Sequence, residues 1–115
     1  MHTVTGQTFS VQEKYRQNSY LRFGDFTQEY MNGNGTKGEW FHLNAQLYFY
    51  GWARDDCNGF EKWFVMDIMR YKMIVEDAGG LDQIGSKQVN RLHGSSVFYG
   101  IRLEHIAGAM LYKSP

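Results

Sequence analysis

Across residues 8–16 the chain alternates. Phe9, Val11 and Tyr15 fall on one side of an extended backbone, and Ser10, Gln12, Lys14 and Arg16 fall on the other. Successive strand side chains point to opposite faces, so this period of two predicts a strand with one buried face, the apolar one. Gln12 and Lys14 then share the polar face, about 7 Å apart. Glu13 falls among the apolar positions, where a lone buried carboxylate is costly. It is therefore expected at an edge, or paired with Arg16 or Arg22.

A second strand is expected over residues 20–31, interrupted at Gly24 by a bulge that would re-aim Asp25, with "QNS" as a hairpin turn between the two strands. In "HLNAQLYFYGWARDD" the positions Leu43, Leu47, Tyr50 and Ala53 follow helical spacing, and Asn44 is placed to cap a helix there. The run from Trp63 to Met66 in "EKWFVMDI" reads as a strand covered on both faces. A short helix is expected over residues 69–78, with Asp67 capping its start and Gly79 and Gly80 stopping it. "SSVFYGI" reads as a strand and "RLEHIAGAMLY" as a closing helix with Leu103, Ile106, Ala107, Met110 and Leu111 along one stripe. Glycines mark loops at "NGNGTKG", "CNG" and "AGG". Strands interleaved with helices predict an α/β domain with a central mixed sheet flanked by helices.

The 115 residues suffice for one domain, residues 1–115, and are too few for two ordinary ones. Hydrophobics at 43% and a single proline are the composition of a folded chain. Twelve basic residues balance twelve acidic ones, so no global positive field draws in nucleic acid, and any such binding needs a local patch. Cys57 is the single cysteine, which excludes an intrachain disulfide and a cysteine-based zinc site. His2, His42, His93 and His105 show no paired metal-ligand spacing. With no apolar run of about 18 residues and no basic-then-apolar leader, the expectation is a soluble, cytoplasmic protein. Strand-like sequence begins almost at Met1, which leaves open a start further upstream.

A carboxylate or amide oxygen beside an ammonium can hold a divalent metal while the lysine orients water or offsets phosphate charge. "VQEK", residues 11–14, offers that pairing as Gln12-x-Lys14, with Glu13 as the neighbouring carboxylate. The triplet, with the order of elements after it, resembles the PD-(D/E)XK nuclease superfamily of restriction-endonuclease-like and Holliday-junction-resolvase-like folds, whose second motif is (E/Q)-x-K on a core strand. The resemblance implies a restriction-endonuclease-like fold with Gln12, Glu13 and Lys14 as catalytic residues. It also implies Mg²⁺ or Mn²⁺ on Gln12 or Glu13 together with Asp25, and Arg16 or Arg22 on the phosphates of DNA. Small size would suit a phage-related domain. The family's metal-binding aspartate precedes this strand, yet residues 1–12 contain no acid. Three accounts compete: a lost upstream segment, an acid moved to Asp25 or Glu29, or a domain without activity kept for binding.

Ordinary roles stand beside these. A polar triplet can simply line a solvated strand face, and Asp25 can be the polar half of a turn. "KQVNRLHGSS" brings Lys87, Arg91 and His93 to one loop that could touch phosphates or merely connect two elements. The aromatics of "LYFYGW" are expected in the core rather than stacked on bases. The second functional expectation is a non-enzymatic interaction or assembly module. Aromatics at 17% are more than a single small core readily hides, so a homodimer is expected under either reading.

Overall fold

The computed structural model describes residues 2–4, 7–91 and 94–115, without the side chains of residues 2–4, 7 and 8. The described residues form an α/β domain of two larger sheets, one small hairpin and short helices. Strands β1 (His2–Val4) and β2 (Gln7–Phe9) make a small antiparallel hairpin. β3 (Val11–Gln17), β5 (Leu47–Ala53), β6 (Phe60–Asp67) and β9 (Met110–Lys113) form a four-stranded sheet in the order β3-β5-β6-β9. It is mixed, because β3 runs parallel to β5 while the other pairs are antiparallel. β4 (Asp25–Met31), β7 (Ser86–Asn90) and β8 (Ser96–Arg102) form a three-stranded antiparallel sheet in the order β4-β8-β7. The helices are α1 (Ile68–Asp77), α2 (Leu81–Ile84) and α3 (Leu103–Ile106). None of the described helices is long and apolar enough to cross a membrane.

The two sheets meet through aromatic rings. Phe26 of β4 points into the inner side of the four-stranded sheet, with its centroid 5.7 Å from Tyr48, 4.7 Å from Tyr50 and 6.1 Å from Phe64. Tyr71 of α1 closes the cluster at 5.4 Å. All four contacts are edge-on, the arrangement that sets a ring's positive edge against its neighbour's negative face. Tyr48, Tyr50, Trp52 and Tyr71 are wholly buried, as expected for the "LYFYGW" aromatics on β5. α1 and β8 also match expectation, whereas β6 is a strand covered on one side only: Phe64 and Met66 are buried, while Trp63 and Val65 are partly exposed on the other side. Asp67 caps α1 by accepting the Arg70 N–H at 3.1 Å.

Six further expectations are overturned. The segment read as a helix is strand β5: Tyr48, Tyr50 and Trp52 alternate inward with period two, and this aromatic run suits a sheet better than a helix. Residues 18–23 are a 3-10 helix ended by Gly24 in the left-handed region (φ 61), and the next strand starts only at Asp25. The "QNS" hairpin is therefore absent, since β3 and β4 lie in different sheets. The closing helix stops at Ile106, and a 3-10 turn (Ala107–Ala109) hands over to β9, which completes the sheet beside β6. The connector carrying Lys87 contains strand β7. Finally, β3 is inverted: its polar residues point toward the second sheet, while Glu13 and Tyr15 point outward.

Candidate functional site

The inward polar side of β3 faces the free edge of β4. In the order β4-β8-β7, β4 has a strand neighbour on one side only, and its other edge carries backbone groups that need partners. Lys14 donates to the Thr27 carbonyl at 3.2 Å, and Arg16 donates to the Asp25 carbonyl at 3.1 Å. The two-residue spacing of the cations along β3 matches the two-residue spacing of the carbonyls along β4. Tyr50 completes the row: its hydroxyl accepts the Thr27 N–H at 3.3 Å and lies 2.9 Å from the Thr27 hydroxyl. Gln12 acts in the same way one step away, its Oε1 accepting the Ala45 N–H at 3.2 Å. Side chains of one sheet thus stand in for a missing strand of the other.

Charge follows the same geometry. The Arg16 guanidinium holds the Asp25 carboxylate at 3.0 Å in a pair shielded from solvent, with side-chain exposures of 14% and 17%. It also lies 4.8 Å from the centre of the Tyr20 ring. The Lys14 ammonium is 3.8 Å from Glu39, a looser pair. Burial lowers the Lys14 pKa, and attraction to Glu39 and Glu29 offsets this in part. Glu39 Oε1 also accepts the Tyr48 hydroxyl at 2.7 Å and the Gln28 amide at 3.5 Å, and the Tyr71 hydroxyl donates to Gln28 Oε1 at 2.8 Å. Burial raises the pKa of Tyr48, Tyr50 and Tyr71, so these phenols stay protonated.

Lys14 and Arg16 border an open cleft of about 260 Å³ together with Thr27, Glu29, Asn90, Ser96, Val97 and Phe98. Two cations and two hydroxyls there could meet an anionic group, while the Glu29 carboxylate opposes one. Arg22, Lys87 and Arg91 are exposed and do not line this cleft among the described residues. The Arg22 guanidinium lies over the Phe23 ring at 4.8 Å. His93 lies outside the described residues.

The ligand set expected for Mg²⁺ or Mn²⁺ does not converge. Gln12 Oε1 is engaged by Ala45, Asp25 Oδ1 by Arg16, and Glu13 is on the opposite side of β3, accepting the Tyr15 hydroxyl at 2.6 Å. Among the described residues no group of three or more His, Cys, Asp or Glu side chains is arranged to hold a metal ion. These residues do not fit the metal. Glu39, the acid nearest Lys14, escaped the sequence reading. One signal preceded it: Gly38 passes so close to β4 that a Cβ there would lie 2.7 Å from the Tyr30 carbonyl carbon, and this approach brings Glu39 to the site.

The outer side of the four-stranded sheet differs in kind. Tyr15, Phe49, Phe60 and Trp63 form a row of rings: Tyr15 to Phe60 at 5.3 Å, Phe60 to Phe49 at 5.1 Å, and Phe49 stacked on Trp63 at 6.0 Å. Gly51 makes room for it, since a Cβ at that position would meet the Phe60 ring at 2.7 Å. Val65 and Tyr112 extend the row toward β9, where Tyr112 pairs with Val65 in register. Tyr15 is 54% exposed and Tyr112 66%. No family model, curated protein or solved structure matches the chain.

Proposed function

We propose that this domain is a non-enzymatic assembly module that pairs with a second copy of itself through the outer side of its four-stranded sheet. One observation carries the reading: the three-stranded sheet and α1 pack on the inner side, while Tyr15, Phe49, Phe60, Trp63, Val65 and Tyr112 stay partly exposed on the other. Contiguous exposed aromatic surface marks interaction sites, and aromatic residues are enriched at interface cores. Glu13 lies on this side as well and accepts the Tyr15 hydroxyl. Two such faces can meet as stacked sheets, about 10 Å apart. Sedimentation across a wide concentration range tests this. The wild type should dimerise, and Tyr112→Asp and Tyr15→Lys should sediment as folded monomers. A wild type that stays monomeric at every concentration refutes it.

A second reading draws on a different observation, that Gln12 and Lys14 lie on one side of β3 and that Lys14 and Arg16 border a cleft. It is a restriction-endonuclease-like domain that contacts DNA through these cations without cleaving it. It ranks second because the same side chains already satisfy backbone groups. Salt-sensitive DNA binding that Lys14→Ala weakens would support it. Mn²⁺-dependent plasmid nicking that Lys14→Ala abolishes would place the nuclease reading first.

A further inference from the structure

A larger cleft, of about 500 Å³, opens on the other side of the three-stranded sheet, between β4, β8 and the α1–α2 turn. Tyr30, Trp40 and Tyr99 contribute aromatic rings to its lining, and Glu76 and Asp82 contribute carboxylates. Tyr30 and Tyr99 stand almost perpendicular, 89° apart with centroids at 5.7 Å, so they form two walls of a corner. The Tyr99 hydroxyl donates to Asp82 Oδ1 at 2.7 Å, which ties a carboxylate to the floor of that corner. Burial and this bond push the Tyr99 pKa up to about 12, so the donor stays in place over the ordinary pH range. Lys72 also lines the cleft, but its ammonium is taken by the Leu43 carbonyl at 2.7 Å.

Aromatic faces carry negative potential, and with nearby carboxylates they select cations whose apolar skirts can touch the rings. Three charged groups line the cleft, two negative and one positive, a balance that disfavours anions. We propose that this cleft binds an alkylated ammonium, either a free quaternary amine or a methylated lysine side chain of a partner. Tyr30, Trp40 and Tyr99 supply the walls, and Asp82 and Glu76 supply the charge.

NMR titration of the intact chain with choline and with trimethyllysine amide tests the site, with 3,3-dimethylbutan-1-ol as the neutral isostere of choline. Choline or trimethyllysine amide should shift ring resonances of Tyr30, Trp40 and Tyr99 and bind at least about tenfold more tightly than the neutral alcohol. Shifts with both cations identify a general site, and shifts with trimethyllysine alone identify a modified side chain as the ligand. Asp82→Asn and Tyr30→Leu, at partly exposed positions, should each weaken binding several-fold while keeping the wild-type circular dichroism. Equal affinity for the alcohol, or no shifts at saturating cation, overturns the proposal.

Discussion

The two sides of β3 carry opposite kinds of residue and do opposite work. Inward, Gln12, Lys14 and Arg16 each satisfy a backbone group of another segment, with the cations closing the edge of β4. Outward, Tyr15 joins a row of rings, with Glu13 on the same side accepting the Tyr15 hydroxyl. A buried side need not be the apolar one when the surface it meets is a strand edge with unpaired carbonyls. An apolar side left half-exposed points to a partner outside the chain.

This contrast can be broken most sharply at Arg16. Arg16→Ala removes a donor from the Asp25 carbonyl and strands a shielded carboxylate, and should cost about 2–3 kcal/mol in urea denaturation. A loss below about 0.5 kcal/mol would mean that the clasp is incidental.

Lys14→Met should cost less, about 1 kcal/mol at neutral pH, because it leaves one carbonyl without a donor. Its pH dependence sharpens the point. Below the lowered folded pKa the ammonium is charged in both states, and the cost of burying it is fully present. As pH climbs from there toward the ordinary value of 10.5, the folded protein releases its proton first and that cost is relieved. The stability gap between wild type and Lys14→Met should therefore widen with rising pH. Above about pH 10.0 both proteins should lose stability, since the unfolded state ionises its tyrosines while Tyr48, Tyr50 and Tyr71 keep their protons in the fold. The difference between the two proteins cancels this shared loss.

Outward substitutions should leave the monomer nearly untouched. Tyr112→Asp should shift its stability by no more than about 0.5 kcal/mol while abolishing self-association. Glu13→Gln should be the mildest, within the same limit for both folding and pairing, because the amide oxygen still accepts the Tyr15 hydroxyl. A large folding defect from either would place this side in the core.

Some of this was legible in the chain. The alternation at residues 8–16 grouped Gln12, Lys14 and Arg16 on one side correctly, although β3 starts only at Val11, after β2 has ended at Phe9. The Asp67 cap and the glycine stop after α1 are local signals that held, and the apolar run marked β6 as a strand but overstated its cover, since Trp63 and Val65 lie on the uncovered side. The segment containing Leu47 did not yield, because two periods coexist there: Leu43, Leu47 and Tyr50 keep helical spacing, while Tyr48, Tyr50 and Trp52 keep strand spacing. Pairing with β3 and β6 on both sides decided for the strand. Glu39 and Thr27 reach Lys14 from positions 25 and 13 residues away, a proximity that no linear spacing encodes.

By itself, then, the sequence determined periods and local stops: which residues share a side of a strand, where a helix is capped, where glycine turns the chain. Which side faces inward was decided only by tertiary structure. Lys14 and Arg16 are stable where they are because β4 presents unpaired carbonyls at the matching two-residue interval. Tyr15 and Tyr112 are left outside because the covering sheet and helix pack on the opposite side. The free energy of a buried polar group depends on the partner it finds, and that partner comes from a distant part of the chain.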